Sequence, residues 1–278
     1  MSVLRVRTFA VVTGASRGLG RMIAVQLARE IKPGSVIYIT ARTLGGLEET
    51  ASIIKQNVNE NLDVRCVAAD LSDAKEVDQL KKLLFENVGD TSRFEHAILI
   101  HNAASLGAIG KFSSELDDVE LIQKNCLLNV TAPITLTSFF LKTFKSCKRN
   151  LRKTVVQITA VSGINPRKTF HLYGTVKAGR DMFFRVMALE EPEVRILAYD
   201  PGFVATEMFN TLQESKDSSL RATAKYIAEQ SFFLSPEKSA HALMKALEED
   251  RYESGSVVRC YDVMNIDVTE MDRQLQSK

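Results

Sequence analysis

Short apolar runs alternate with longer segments of helical periodicity along most of this chain. Seven of these runs have the length and composition of strands, and most are separated by segments long enough for a helix. Their nearly continuous apolar character is typical of parallel strands that are buried on both faces. We therefore expect an α/β fold, a doubly wound parallel sheet with helices on both faces. The predicted strands are Thr8–Val12, Ser35–Ala41, Val64–Ala68, Ala97–Ile100, Thr154–Thr159, Val194–Tyr199 and Val257–Tyr261.

The chain is long enough for a large core and is predicted to form one domain. It has 278 residues, of which 45% are hydrophobic, and no repeat, low-complexity tract or Pro/Gly-rich linker divides it. The polar and irregular segment Asn210–Leu234 is a candidate lid over a site. Ser235 can cap, and Pro236 can open, a last helix that runs to about Glu249.

Charge, hydropathy and cysteine content argue against a nucleic-acid partner, a membrane span, a metal site and a disulfide framework. The formal net charge of +2 gives no case for a nucleic-acid partner, and the basic cluster Lys145–Lys153 is interrupted often enough to be a solvated loop. No apolar run approaches the roughly 20 residues of a membrane span, and the first residues lack the apolar core of a secretory signal. A cytoplasmic protein is expected. Neither a metal site nor a disulfide framework is predicted, because no Cys-x-x-Cys spacing occurs among Cys66, Cys126, Cys147 and Cys260.

A glycine-rich turn follows the first predicted strand and opens an amphipathic helix. Its sequence, Thr13–Gly20, has Gly-x-x-x-Gly-x-Gly spacing rather than the Gly-x-Gly-x-x-Gly of the common dinucleotide fingerprint. Residues without a Cβ let the chain turn tightly, and they let backbone N–H groups approach a phosphate at the positive end of the helix. We therefore predict a dinucleotide phosphate site formed by Gly14, Ser16, Arg17, Gly18, Leu19 and Gly20.

An arginine follows the second predicted strand, where a site for NAD carries an acid that binds the ribose 2′-hydroxyl. This residue is Arg42, and together with Arg17 it can make charge-assisted hydrogen bonds to a 2′-phosphate. The pattern therefore favours NADPH over NADH as the cofactor. The alternative is that both residues are ordinary surface arginines.

Two further strand ends carry candidate cofactor contacts. After the third strand, Asp70 can accept a hydrogen bond from an adenine amino group while Leu71 packs on the ring. Alternatively, Asp70 caps the next helix, since a serine and an aspartate follow it, and one residue can serve both purposes. After the fourth strand, Asn102 can brace neighbouring backbone, and the two alanines that follow leave room for a cofactor to cross the sheet edge.

A tyrosine and a lysine, Tyr173 and Lys177, lie four residues apart on one face of a predicted helix. A phenol with a pKa of about 10 is a poor acid at neutral pH, but an adjacent ammonium favours the phenolate and lowers that pKa. The pair is therefore predicted to be catalytic, with Lys177 tuning Tyr173. The alternative is a surface pair with extended side chains, and the nucleotide-site features at the preceding strand ends favour catalysis.

Together these motifs resemble those of the short-chain dehydrogenase/reductase family, and the resemblance covers almost the whole chain. It implies a Rossmann-like fold with a seven-stranded sheet. The motifs are Thr13-Gly14-x-x-x-Gly18-x-Gly20, Asp70, Asn102-Ala103-Ala104, Asn129, Tyr173-x-x-x-Lys177 and Pro201-Gly202. Within the family the chain is most similar to the sepiapterin reductases, through Thr13–Arg21, Pro33–Val36, Ala41-Arg42, Ser105–Gly107, Arg180–Met182, Ala188–Pro192, Ser254-Gly255 and Tyr261-Asp262.

The resemblance also implies an activity, the reduction of a carbonyl group by hydride from NADPH. In that reaction Tyr173 donates the proton, Lys177 holds the nicotinamide ribose, and Asn129 takes part in a water-linked proton relay. The candidate lid closes over the substrate, which is expected to be a pterin side-chain ketone or a related dicarbonyl. The residues that would lie along the nicotinamide are Pro201, Gly202 and Thr206.

A homodimer is implied as well, because members of the family commonly pair through long helices. The apolar content of Leu121–Phe144 and Met182–Leu189 is compatible with such pairing. A buried core face explains the same apolar content equally well.

The catalytic serine of the family is missing from this chain. Ala160 stands at its expected position, thirteen residues before Tyr173. Ser162 is the better substitute, because strand alternation turns the adjacent Thr159 to the other face. Loss of one donor to a developing oxyanion costs on the order of 10²–10³ in rate, so weak activity can remain.

A second departure lies near the end of the chain. Arg259 stands where sepiapterin reductases carry an aspartate that binds the pterin, and a guanidinium cannot accept the same hydrogen bonds. Asp262 occupies a different matching position, so the pterin role does not pass to it. These departures motivate an alternative function, a weakly active or inactive NADPH-binding sensor or regulatory protein. Residues 1–262 are expected to form the domain, and residues 263–278 a polar, disordered tail.

Overall fold

The computed structural model describes residues 2–58, 61–86, 88–145 and 151–269. Its strands are β1 (Thr8–Thr13), β2 (Val36–Ala41), β3 (Asp63–Ala68), β4 (His96–His101), β5 (Arg152–Ile158), β6 (Val194–Asp200) and β7 (Val257–Arg259). They form one parallel sheet in the order β3-β2-β1-β4-β5-β6-β7. The strand order reverses beside β1, so the crossovers on its two sides place helices on opposite faces of the sheet. The predicted doubly wound, seven-stranded sheet is confirmed.

Helices connect successive strands in the described part of the chain. A five-residue π-helical segment, Leu127–Thr131, joins two of them into one longer helix. The α-helices are α1 (Gly18–Glu30), α2 (Leu44–Asn57), α3 (Ala74–Phe85), α4 (Val119–Cys126), α5 (Ala132–Phe144), α6 (His171–Glu190), α7 (Glu207–Gln213), α8 (Ser218–Ala228), α9 (Pro236–Glu249) and α10 (Cys260–Met264).

Each face of the sheet has its own apolar core, because side chains alternate between the two faces of every strand. Val12 and Val156 belong to the core that packs against α1, α2 and α9. Val11 and Val155 belong to the other core, which packs against α3, α5 and α6. Every residue of β1 and β4 is buried, so the central strands are fixed and hold their carboxyl ends at one edge.

The candidate lid Asn210–Leu234 is more regular than expected, since it contains most of α7 and all of α8. Asp217 caps α8 by accepting hydrogen bonds from two backbone N–H groups. A small aromatic cluster ties this segment to the loop after β6: Phe203, Phe209, Phe232 and Phe233. The predicted last helix is confirmed, because Ser235 caps it at the N–H of Lys238 and it runs over Pro236–Glu249.

The last described segment differs from the prediction in two ways. The strand β7 ends at Arg259, and Tyr261 lies in α10, so the predicted strand Val257–Tyr261 was too long. Val268 is 7% exposed and Val263 packs against the core, so the expected disorder is wrong for residues 263–269. Residues 270–278 lie outside the described residues.

The basic cluster Lys145–Lys153 is not all loop. Arg152 begins β5 and pairs with Asp250 at 2.7 Å, whereas residues 146–150, which include Cys147, lie outside the described residues. In the ranges that the structure describes, no helix is both long and apolar enough to cross a membrane. The described cysteines are free thiols: Cys66, Cys126 and Cys260.

Candidate active site

The glycine turn lies between the end of β1 and the start of α1. Gly14 and Gly18 have φ of +67° and +54°, a region that side chains with a Cβ rarely adopt. A Cβ at Gly14 would also lie 2.8 Å from the Cα of Ala103, and a Cβ at Gly20 would collide with the Gly14 carbonyl. Helix α1 begins without a side-chain cap or an acidic residue in its first turn. This geometry leaves the positive end of the helix to an anion such as a phosphate.

Asn102 braces this turn, as predicted. Its Nδ2 donates to the carbonyl oxygens of Thr13 and Gly14, each at 3.0 Å. The Thr13 hydroxyl in turn accepts from the backbone N–H groups of Asn102 and Ala103, each at 3.1 Å. These bonds lock the end of β1 to the end of β4.

Arg21 also holds the turn, and the sequence motifs did not single it out as a site residue. Its guanidinium donates to the Ser16 carbonyl at 2.5 Å and to both carboxylate oxygens of Glu49 at 2.7 and 2.8 Å. Its hydrogen bonds and charge lower the pKa of Glu49. The only available signal was its place within the stretch Thr13–Arg21 shared with the sepiapterin reductases.

The two arginines predicted to bind a 2′-phosphate differ in their surroundings. Arg17 pairs with Glu207, the first residue of α7. Arg42 is exposed at the end of β2, and its charge contributes to lowering the pKa of Asp70. A phosphate would therefore compete with Glu207 for Arg17.

Asp70 makes a local turn rather than a helix cap. Its Oδ1 accepts from the Ser72 N–H at 2.9 Å and from the Ser72 hydroxyl at 2.7 Å, whereas Asp73 caps α3. Burial opposes these bonds, but the net effect is a lowered pKa for Asp70. Leu71 is 5% exposed and packs in the core, so most of its side chain is occupied there. The adenine contacts of both residues stay predictions.

Tyr173 and Lys177 lie in the first two turns of α6, and the surface-pair alternative is wrong. Lys177 is 1% exposed, and its Nζ donates to the carbonyl of Ile158, the last residue of β5, at 2.6 Å. The same Nζ is 5.3 Å from the centroid of the Tyr173 ring. The amine is thus held at the carboxyl end of β5 beside the phenol.

The pKa shifts of Tyr173 and Lys177 differ from the prediction that the Lys177 ammonium lowers the pKa of Tyr173. Burial raises the pKa of Tyr173 to about 12, against the opposing charge of Arg180, and Asp200 and Asp181 raise it further. Burial, followed by the charge of Arg180, holds the pKa of Lys177 well below its ordinary value. The cation that favours the phenolate is therefore Arg180 rather than Lys177.

Asn129 lies within the π-helical segment and is 1% exposed. Its side-chain amide makes two hydrogen bonds with the loop after β4. Oδ1 accepts from the Ser105 N–H and Nδ2 donates to the Ser105 carbonyl, both at 3.2 Å. Its backbone carbonyl accepts from Arg180 Nη1 at 3.4 Å. The side chain of Asn129 is therefore committed to the loop, and its backbone is linked to α6.

Thr159 lies beside Ala160 and lines the same small cavity, but its hydroxyl is already paired. Its Oγ1 lies 2.8 Å from both carboxylate oxygens of Asp181 and donates to that carboxylate. Ser162 lies half-buried in a short 3₁₀ turn that follows Ala160. Its role as a substitute for the missing serine stays a prediction.

A cavity of about 200 Å³ opens at the carboxyl ends of β5, β6 and β7. Ala160 lines it, as do Asp181, Asp200 and Arg259. Arg259 Nε lies 3.7 Å from a carboxylate oxygen of Asp200. Polar and charged groups of both signs therefore line this cavity beside Ala160, whereas Tyr173 and Lys177 are not among its lining residues.

The loop after β6 is packed by the last described segment of the chain. Gly202 has φ +73°, and a Cβ there would lie 2.6 Å from the Tyr261 ring. The Pro201 carbonyl accepts from the Ser239 hydroxyl at 2.9 Å. Thr206 caps α7, and its methyl group would contact a Cβ at Gly18 at 3.3 Å. The structure thus brings the end of this loop against the glycine turn.

Three comparisons with known proteins agree with this geometry. A sequence profile described as short chain dehydrogenase matches residues 8–217. Sepiapterin reductase of Mus musculus is 36% identical over 253 residues, which cover 91% of this chain and 96% of the relative. A benzil reductase ((S)-benzoin forming) of Bacillus cereus is 32% identical over 258 residues, which cover 90% and 98%. The structure of L-sorbose reductase from Gluconobacter frateurii, complexed with NADPH and L-sorbose, has a TM-score of 0.75 at 23% identity and covers 93% of this chain and 97% of that chain.

Proposed function

Since the chain belongs to the short-chain dehydrogenase family of oxidoreductases, as its motifs predicted, we propose that it is an NADPH-dependent carbonyl reductase of the sepiapterin reductase type. The observation that carries this proposal is the burial of Lys177, whose amine lies at the carboxyl end of β5 and 5.3 Å from the ring of Tyr173. In the part of the chain that the structure describes, this buried amine has no ion pair with a carboxylate. Burying such a group is costly, and groups with perturbed pKa values concentrate at functional sites.

The residues of the glycine turn fit a nicotinamide dinucleotide. Close packing at Gly14 and Gly20 and the uncapped start of α1 form a cradle that side chains would fill. Arg42 and Arg17 favour a 2′-phosphate, with Arg17 exchanging Glu207 for the phosphate. When bound, the cofactor would supply the hydride to the carbonyl carbon of the substrate.

The chain's own residues would supply the proton and the positioning. Tyr173 donates its phenolic proton to the carbonyl oxygen, and Lys177 binds the nicotinamide ribose. Asn129 holds the loop after β4 at the site through Ser105 and takes part in the proton relay. Because Ala160 provides no hydroxyl, the rate is expected to be about 10²–10³ below that of a site with the serine, unless Ser162 replaces it.

The substrate is proposed to be a pterin side-chain ketone or a related dicarbonyl. The sepiapterin reductase relative supports the pterin, and the benzil reductase relative supports a dicarbonyl. Arg259 in the cavity argues for a difference in how the distal part of the substrate is held. The competing proposal, a weakly active or inactive NADPH-binding sensor, is favoured by Ala160 and Arg259 together.

The decisive experiment follows NADPH absorbance with sepiapterin and a panel of small dicarbonyls, using wild type and Tyr173→Phe. Oxidation of NADPH that depends on Tyr173 supports the reductase and ranks its substrates. No oxidation with any substrate, in protein that demonstrably binds NADPH, favours the sensor. Failure to bind NADPH contradicts both.

The oligomeric state and the cellular location are also proposed. A homodimer is supported by three exposed apolar side chains on α6, which are Met182, Val186 and Leu189. Light scattering of the purified protein tests it, since a monomer at micromolar concentration contradicts it. A cytoplasmic location is tested by cell fractionation.

A further inference from the structure

Arg180 is the largest fully buried side chain of the described residues, with no exposed surface. It lies on α6, one turn after Lys177 and two turns after Tyr173. A guanidinium retains its charge even when buried, so its desolvation must be offset by well-placed acceptors. A charge maintained at this cost next to a reactive pair calls for a functional explanation.

Three acceptors hold this guanidinium, and all three are neutral. Its Nε donates to Gln157 Oε1 at 3.0 Å, its Nη2 to the Ile158 carbonyl at 2.5 Å, and its Nη1 to the Asn129 carbonyl at 3.4 Å. Two of them belong to the end of β5 and one to the π-helical segment. Arg180 therefore ties α6 to the end of β5 and to the π-helical segment, and among the described residues no carboxylate pairs directly with its charge.

The carbonyl of Ile158 accepts from two basic side chains at once. Lys177 Nζ donates to it at 2.6 Å and Arg180 Nη2 at 2.5 Å. Because the two donors share one oxygen, the position of the Lys177 amine depends on the arginine beside it. Their proximity also makes the protonated form of Lys177 less favourable, in agreement with its lowered pKa.

Among the described residues, the other charges that act on both Tyr173 and Lys177 are two carboxylates, one on α6 and one at the end of β6. Asp181 follows Arg180 on α6 and accepts from Thr159 and Gln157, and Asp200 ends β6. Both favour the neutral phenol of Tyr173 and the protonated amine of Lys177, whereas Arg180 acts in the opposite direction on each. The charge of Arg180 therefore opposes the effects of Asp181 and Asp200 on the pKa values of Tyr173 and Lys177.

We propose that Arg180 is a positioning residue of the reduction: its fixed guanidinium aligns the Asn129 and Ile158 carbonyl groups and keeps the Lys177 amine available for proton exchange beside Tyr173. This proposal rests on the proposed reductase function for its effect on rate. Its effect on Lys177 is a property of the cofactor-free protein and does not depend on turnover.

The test compares Arg180→Met and Arg180→Lys with Arg185→Met, which removes an exposed arginine from the same helix. The titration of Lys177 is followed by NMR of ε-labelled lysine, assigned through Lys177→Met. Arg180→Met should raise the pKa of Lys177 by at least about one unit, because the neighbouring cation is gone. Arg180→Lys should restore most of the wild-type value, and Arg185→Met should leave it unchanged.

Turnover provides the second readout. Arg180→Met should lower kcat by about tenfold or more while the Kd for NADPH stays within about twofold, because the guanidinium is fully buried. Arg180→Gln covers the case in which Arg180→Met fails to fold, because its amide can still donate to the buried acceptors while the charge is removed. It should likewise raise the pKa of Lys177.

The outcomes separate this proposal from the reductase function. Wild-type values of kcat and of the Lys177 pKa in Arg180→Met overturn it. So does an equal loss of kcat in Arg180→Met and Arg180→Lys with Lys177 unmoved, which indicates a role in packing alone. If wild type reduces no carbonyl, the reductase function fails, and the Lys177 titration still decides whether Arg180 positions the amine.

Discussion

Replacing Lys177 by methionine should stabilise the cofactor-free protein at neutral pH, although it removes a proposed catalytic residue. The side chain is 1% exposed, and burial together with the charge of Arg180 holds its pKa well below the ordinary value. Methionine has a similar length and no charge to desolvate. The carbonyl of Ile158 would still accept from Arg180 at 2.5 Å, so the substitution leaves that acceptor satisfied.

The sign and size follow from proton linkage. Because the folded pKa of Lys177 is lowered, the unfolded chain binds an additional proton between that lowered pKa and the unfolded value of about 10.4. The stability that this residue contributes is complete above the unfolded pKa and is lost as the pH falls, at up to about 1.4 kcal/mol per pH unit. The advantage of Lys177→Met should therefore shrink by up to about 2.7 kcal/mol between pH 7 and pH 9.

Urea-induced unfolding at pH 7, 8 and 9 measures this directly. Other titrating groups are common to both proteins, so the difference in the free energy of unfolding isolates Lys177. Lys225→Met, which replaces an exposed lysine of α8, is the matched control and should show no pH-dependent difference. If wild type and Lys177→Met keep a constant difference over this range, Lys177 is protonated in the folded state and the reasoning is wrong.

Three further changes test other parts of the site. Arg42→Asp should weaken NADPH binding relative to NADH by about tenfold or more, measured by fluorescence titration with each cofactor, and an unchanged preference contradicts the 2′-phosphate assignment. Asn102→Ala should lower the free energy of unfolding by about 1–3 kcal/mol, because the carbonyls of Thr13 and Gly14 lose their donor, and a loss within error in urea titrations would show that the brace is dispensable. Ala160→Ser should raise kcat by about tenfold or more in steady-state assays if no other hydroxyl serves the substrate, and an unchanged kcat would indicate that Ser162 already does so.

The sheet and the glycine turn were predictable because their signals are local. Each central strand is a short apolar run buried on both faces, and β1 is followed at once by residues whose positive φ requires glycine. The prediction that Tyr173 and Lys177 act as a pair rested on their spacing on one helix together with the nucleotide-site features at the preceding strand ends. The prediction failed where the local pattern was weak and packing against distant residues determined the structure. An example is the polar segment predicted to be irregular, which forms α8 with Ala224 and Ile227 buried.

Arg180 shows why the rest of the site could not be predicted. In the sequence it is a basic residue in a helix, followed by an acidic one, a pattern that is usual at exposed positions. Its acceptors Gln157 and Asn129 lie 23 and 51 residues away, so its burial follows only from the packing of α6 against β5 and the π-helical segment. The pairing of Arg17 with Glu207 depends in the same way on how α7 meets the glycine turn.

The position of Tyr261 bears on the order in which parts of the protein can fold during synthesis. Its hydroxyl accepts from the Phe203 N–H at 2.8 Å and donates to the Phe232 carbonyl at 3.0 Å, so a residue near the end of the described chain fixes the loop that follows β6. The central strands β1 and β4 emerge from the ribosome much earlier and can pair before that segment exists. The nascent protein would therefore pair its central strands first, and the wall formed by Gly202 and Phe203 would be set only after Tyr261 has emerged.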